Sequence, residues 1–115
     1  METVRRYRAF KESLASGGAK YGTMLQEIGT TKIVKILAEA GMDFCFIDGE
    51  HGPFTYETVS DLISATDTAR LVPIVRVPEI RKEPIQKFLD AGAAGILVPW
   101  VRTAEEVREA VRLAR

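Results

Sequence analysis

The sequence predicts an α/β fold: an opening helix followed by about four strand–helix units, the N-terminal half of an eight-unit (β/α)8 TIM barrel. Three observations point there. The runs MDFCFID (42–48), LVPIVRV (71–77) and GILVPWV (95–101) are short, branched or aromatic, and continuously apolar, as strands buried on both faces of a parallel sheet are. Stretches with apolar residues at helical spacing separate them. The segments AEAGMDFCFID and LDAGAAGILVP each run from a helix end through Ala-Gly into a strand, an echo two units apart. An eight-unit barrel typically takes about 250 residues, so the 115 residues here suit half of one. The expectation is a single partial-barrel domain over 1–115, truncated, because the last helical pattern reaches Arg115 with no strand after it.

The elements follow in order. Residues 4–16 place Val4, Tyr7, Phe10 and Leu14 on one helical face, and Ser16-Gly17-Gly18 ends the pattern. Residues 20–26, KYGTMLQ, form a weaker strand signal. Residues 31–40 carry Ile33, Ile36, Leu37 and Ala40 at helical spacing, with Gly41 where a helix end favours positive φ. After the strand at 42–48, residues 55–69 hold Val59, Leu62, Ile63 and Thr66 as a helical stripe. The strand at 71–77 leads to a helix over 83–92, with Pro84 in the first turn, Ile85, Phe88 and Leu89 as the stripe, and Gly92 at the end. After the strand at 95–101, Thr103 and Glu106 make a capping box for a helix whose inner face is Val107, Ala110, Val111 and Ala114.

Composition narrows the function classes. Sixteen basic and sixteen acidic residues give no net charge, so nothing favours nucleic acid or an anionic membrane as partner. The charged start METVRRYRAFKESLASG lacks a signal peptide's apolar stretch, and no apolar run reaches the roughly 20 residues that span a bilayer. One cysteine rules out an internal disulfide and a cysteine zinc site. No phosphate-binding loop of the GxxxxGK type occurs. The expectation is a cytoplasmic protein.

In parallel α/β folds, ligands gather at the C-terminal ends of the strands. One strand here runs into Asp48-Gly49-Glu50-His51-Gly52, a second ends at Arg76, and a third at Pro99-Trp100-Val101. Side chains alternate along a strand, so Asp48 shares a face with Phe44 and Phe46, and Arg76 with Ile74. An arginine on a buried face needs Asp48, Glu50 or an anionic ligand, and its planar fork suits a substrate carboxylate. His51 sits on a glycine-flanked turn beside carboxylates, a place for a general base or for an ordinary surface histidine. Asp48 reads equally as a turn or helix cap, and Arg76 as a structural ion-pair partner. Cys45, between two phenylalanines, reads as an inert core thiol. Trp100 reads as packing at the rim, or as lining a pocket.

The segments AGMDFCFIDGEHGPF, VPIVRVP and LDAGAAGILVPWVRTAEEV, in this order, resemble the HpcH/HpaI aldolase family, over about residues 20–115. The resemblance implies a (β/α)8 barrel and a lyase that cleaves 4-hydroxy-2-oxo acids to pyruvate and an aldehyde. It implies a divalent cation, Mg or Mn, a small 2-keto acid as substrate, and a homo-oligomer. It makes His51 the general base, Asp48 its dyad partner, and Arg76 the group that binds the pyruvate carboxyl and keto oxygens and stabilises the enolate. The family's two carboxylate metal ligands fall beyond Arg115, so no residue here is assigned as a ligand, Glu50 included. Met24 stands near where the family often has tryptophan. The chain alone is therefore expected to be inactive or very weakly active. The alternatives are an enzyme of the citrate lyase β/malyl-CoA lyase branch, and a non-catalytic half-barrel that dimerises or pairs with a second chain.

Overall fold

Helices and strands alternate along the computed structural model, which describes residues 2–50 and 52–115. The elements are α1 (Glu2–Ala15), β1 (Gly22–Leu25), α2 (Lys32–Glu39), β2 (Phe44–Asp48), α3 (Tyr56–Ala69), β3 (Val72–Arg76), α4 (Lys82–Asp90), β4 (Gly95–Leu97) and α5 (Ala104–Leu113). The strands pair in parallel and in chain order, β1-β2-β3-β4. This is an α/β fold in which each strand is followed by a helix, the repeating unit of a (β/α)8 barrel.

The ends of these elements have local causes. Thr55 caps α3 by accepting the Thr58 N–H at 3.1 Å, and Thr103 caps α5 by accepting the Glu106 N–H at 3.1 Å. The capping-box partner is altered: the Glu106 carboxylate takes the Thr103 hydroxyl at 3.3 Å. Gly41 (φ 91°) and Gly92 (φ 115°) follow α2 and α4 in the left-handed region, as the sequence predicts. The chain leaves α3 the same way through Arg70 (φ 65°), where no glycine announces it.

One face of the sheet is dry and the other is not. Cys45, Ile47 and Val75 pack against the helices with no exposed surface, together with Val34, Val59, Leu62, Ile63, Ile85 and Phe88. The buried Thr66 hydroxyl is satisfied by the Ile63 carbonyl at 2.6 Å. On the opposite face Met24, Phe44, Phe46 and Ile74 are only half-buried. The expectation of strands buried on both faces therefore holds for one face of this chain.

Helix α1 covers part of that second face at the N-terminal ends of the strands. Phe10 meets Phe44 edge-on at 5.7 Å, and Phe44 meets Phe46 at 5.4 Å. Arg6 and Thr3 both bond Asp67 near the end of α3, at 3.0 and 2.6 Å. The Tyr7 hydroxyl donates to the Gly92 carbonyl at 2.8 Å. The ladder explains that last bond. Pro73 accepts the Ala94 N–H at 2.8 Å, so parallel geometry would send an N–H of residue 73 to the Gly92 carbonyl. Proline has no N–H, and Tyr7 supplies the missing donor.

Some predicted helix faces are turned. In α2, Val34 is buried with Leu37 and Ala38 beside the core, while Ile36 is 58% exposed and Ala40 is exposed. In α5, Ala110 and Leu113 face inward, whereas Val107 and Val111 are nearly half exposed and Ala114 is exposed. In α1, Val4 and Leu14 are exposed and only Tyr7 and Phe10 of the predicted stripe turn inward. The last strand ends at Leu97, four residues before the predicted limit, because Pro99 and the left-handed Trp100 break the extended run.

Candidate active site

Parallel register sets Asp48 directly opposite Arg76 at the C-terminal ends of β2 and β3. Both lie on the face away from the helices, following Phe44, Phe46 and Ile74 by alternation. The Asp48 side chain has no exposed surface, while that of Arg76 is 20% exposed. Arg76 grips Asp48 with two bonds, Nε to Oδ1 at 3.1 Å and Nη2 to Oδ2 at 2.7 Å. The Glu50 backbone N–H donates to Oδ1 at 2.8 Å, and the Gln26 amide to Oδ2 at 3.3 Å. An isolated carboxylate in such a place would be strongly disfavoured; a bidentate guanidinium and two further donors offset its lost hydration. The same hydrogen bond to Asp48 raises Arg76 above its ordinary range, so the guanidinium is charged at any working pH.

Asp48 occupies the side edge of the guanidinium, Nε and Nη2. No hydrogen bond from Nη1 is found among the described residues, and Nη2 is shared with the end edge of the fork.

The turn after β2 is shaped by glycines that the packing requires. A Cβ on Gly49 would lie 2.8 Å from the Arg76 carbonyl oxygen and 3.2 Å from the Phe88 ring. A Cβ on Gly52 would lie 2.4 Å from the Gln26 carbonyl oxygen. The Gly49 N–H bonds the Arg76 carbonyl at 2.9 Å, which extends the β2–β3 pairing by one residue past the strand. Glu50 is thereby brought over the site. Its Oε1 lies 3.3 Å from Arg76 Nε, and its Oε2 accepts the Trp100 indole N–H at 3.1 Å.

The structure thus brings Asp48 and Arg76 together as an ion pair, and Asp48 also takes the turn amide that the sequence suggested. His51 lies outside the described residues. Trp100 is not packed at the rim: it is 75% exposed, with φ 58°, is tied to Glu50 by its indole N–H, and lines an open cleft, the second of the two places the sequence allowed it. That cleft, about 460 Å³, is lined by Trp100 with Pro78, Ile80, Pro99 and several glutamates; neither Asp48 nor Arg76 lines it. Cys45 is fully buried, and burial pushes its thiol up to about 12, which fits an inert core residue. Among the described residues no group of three or more His, Cys, Asp and Glu side chains could hold a metal ion. The described donors therefore do not by themselves make a cation cage. Sequence reasoning missed Gln26 and the Trp100–Glu50 bond. Gln26 could have been found from register: it follows β1 with the parity that aligns it with Asp48.

No helix among the described residues is long and apolar enough to cross a membrane. A family model described as HpcH/HpaI aldolase/citrate lyase matches residues 26–115. The chain is 40% identical over 106 residues to the hydroxypyruvate/pyruvate aldolase of Roseobacter denitrificans, a match that covers 92% of this chain and 41% of that protein. It is 36% identical over 106 residues to the 2-keto-3-deoxy-L-rhamnonate aldolase of Salmonella gallinarum, covering 92% and 39%. Among solved structures, an HpcH/HpaI aldolase from Desulfitobacterium hafniense superposes with a TM-score of 0.86 at 39% identity, covering 91% of this chain and 40% of that one. The citrate synthase SbnG superposes with a TM-score of 0.85 at 39% identity, covering 91% and 42%. The chain spans roughly two fifths of the length of the curated relatives it matches. With four βα units superposing on such enzymes and the family model covering most of its length, the chain belongs to the HpcH/HpaI aldolase/citrate lyase family.

Proposed function

We propose that the chain carries the keto-acid-binding part of a carbon–carbon lyase that splits a 4-hydroxy-2-oxo acid into pyruvate and an aldehyde, and that runs the reverse addition. The observation that carries this is the Arg76 fork at the strand ends: one edge is fixed by Asp48, the side chain is 20% exposed, and no hydrogen bond from Nη1 is found among the described residues. A 2-keto acid offers a carboxylate and an adjacent keto oxygen in one plane, a match for a planar fork. In retro-aldol cleavage the C4 hydroxyl loses its proton, the C3–C4 bond breaks, and its electrons collect as an enolate on the pyruvate fragment. A fixed guanidinium beside the keto oxygen stabilises that developing charge without reorganising. His51, three residues past Asp48 in the sequence, is the candidate base for the C4 hydroxyl, and Asp48 the residue that would orient it. The divalent cation implied by the resemblance would draw its ligands from outside the described residues, and no step here is assigned to it. The names of the two aldolase relatives, one for hydroxypyruvate and pyruvate and the other for a 2-keto acid, support a 2-keto acid as substrate.

The test is a chimera. This chain replaces the matching two fifths of the Roseobacter denitrificans aldolase, and pyruvate release is followed with a coupled dehydrogenase. The expected result is pyruvate formation that falls at least about 100-fold in Arg76→Lys, which keeps the charge and loses the fork. A folded chimera that releases no pyruvate, or one indifferent to Arg76→Lys, sinks the reading. The 115-residue chain by itself is expected to show little or no turnover.

A further inference from the structure

We infer that Trp100 is a specificity-determining residue: its ring and the cleft it lines receive the aldehyde part of the substrate, and favour an uncharged aldehyde over one that carries a carboxylate. The inference rests on the keto-acid reading above and names the second half of that substrate.

Position argues first. Arg76 pairs with Leu97, and β4 leads from there into the loop that holds Trp100. Glu50 joins the two side chains. Its Oε2 accepts the indole N–H at 3.1 Å, and its Oε1 lies 3.3 Å from Arg76 Nε. One carboxylate's breadth therefore separates the indole from the guanidinium. In a 4-hydroxy-2-oxo acid, C4 lies three carbon–carbon bonds, about 4 Å, beyond the carboxylate that Arg76 would hold. The substituent on C4 leaves as the aldehyde, and it falls within reach of the indole.

The surface argues second. Trp100 is 75% exposed on a left-handed backbone at φ 58°, a strained placement for a bulky residue. An apolar group laid on that ring would bury surface that this chain leaves in water. The cleft, about 460 Å³, is large enough for a small ligand. Pro78, Ile80, Pro99 and Trp100 supply apolar wall, and its charged lining residues are all glutamates. Arg81, Arg108 and Arg112, which pair with Glu79, Glu105 and Glu109, do not line it. A second substrate carboxylate placed there would meet carboxylates and no cation, which selects against it.

The experiment uses the chimera described above in the direction of addition, with pyruvate and either butanal or 4-oxobutanoate. The two aldehydes have the same carbon count and differ in the terminal carboxylate. The parent chimera is expected to use butanal with a kcat/KM at least about tenfold higher. Trp100→Ala should lower kcat/KM for butanal about tenfold and leave the KM for pyruvate within about twofold. Trp100→Phe loses the bond to Glu50 and keeps an aromatic ring, and should stay within about threefold of the parent. Glu105→Lys, at an exposed position, should narrow the preference for butanal at least about fivefold. Equal use of the two aldehydes by the parent overturns the inference, as does a preference that Glu105→Lys does not move. A merely structural role for Trp100 would impair both aldehydes alike and raise the KM for pyruvate, which also overturns it. So does Trp100→Phe as impaired as Trp100→Ala, since the effect would then belong to the Glu50 bond and not to the ring. A folded chimera that forms no pyruvate from a 4-hydroxy-2-oxo acid sinks the keto-acid reading and this inference with it, whereas an active chimera indifferent to Trp100 sinks this inference alone.

Discussion

With none of its side chain exposed, Asp48 is stable as a charge only because of the donors around it. Removing one partner of a buried pair typically costs about 3–5 kcal/mol, because the other charge is left behind. Arg76→Met should fall near about 3 kcal/mol, since the guanidinium is itself 20% exposed and the Gln26 and Glu50 donors remain. Urea unfolding checks the value, and a loss under about 1 kcal/mol would mean the carboxylate is solvated after all. Gly49→Ala is a second test of the same row. Its Cβ would meet the Arg76 carbonyl at 2.8 Å and the Phe88 ring at 3.2 Å, so β2 and β3 must part locally, at about 2 kcal/mol. Strand alternation let the sequence say that Arg76 needs Asp48, Glu50 or an anionic ligand; it did not say which, because the register that sets Asp48 opposite Arg76 is fixed by the pairing of β2 with β3 and not by residue spacing. Glu50's link to Trp100 was not legible either. It depends on a left-handed turn at a tryptophan, a conformation for which the side chain gives no signal.

At the scale of elements, α1 shows how a helix with no fully buried residue is held. Its anchors are the Phe10–Phe44 contact and bonds from Thr3, Arg6 and Tyr7. Tyr7→Phe strips the Gly92 carbonyl of the donor that Pro73 cannot supply, and should cost about 1 kcal/mol in thermal unfolding while leaving the strands paired. The Asp67 contacts add a pH dependence. Hydrogen bonds from Thr3 and then Arg6 hold its carboxyl below the ordinary aspartate range. A group with a depressed folded value stabilises in full above its unfolded value, near pH 4, and loses that contribution as pH falls through the folded value. Asp67→Asn should therefore flatten the stability profile below about pH 4 and change its shape little at neutral pH; an unchanged acid limb would exclude the contact. Helical spacing correctly grouped Val59, Leu62, Ile63 and Thr66 in α3, where one stripe dominates. It failed in α2 and α5, which carry apolar residues on two stripes. Periodicity says which residues share a face; which face meets the sheet is decided by the neighbouring helices and the crossing angle.

For the molecule as a whole, the asymmetry of the sheet governs stability. The face toward the helices is a closed core, with Ile47 fully buried and Cys45 beside it in β2. The opposite face, where Ile74 lies one alternation below Arg76, is half open. The fold class and strand order could be read from the sequence because continuous apolar runs separated by helical patterns admit few other topologies. How much of the second face is covered could not, because Phe46 and Ile74 look as apolar as Ile47 and Val75. The two faces should respond differently to the same lesion. Ile47→Ala removes fully enclosed methylenes and leaves a cavity, at about 3–4 kcal/mol; Ile74→Ala removes methylenes that already touch solvent, at about half of that. Cys45 offers a probe of the same closed face without mutation. With its thiol pushed up to about 12 and no surface exposed, it should react with a thiol reagent at pH 8 only through opening of the sheet. Its labelling rate should rise in Ile47→Ala by far more than in Ile74→Ala. Equal rates in the two variants, or rapid labelling of the parent chain, would mean that the helical face is not the closed core on which this account of the fold depends.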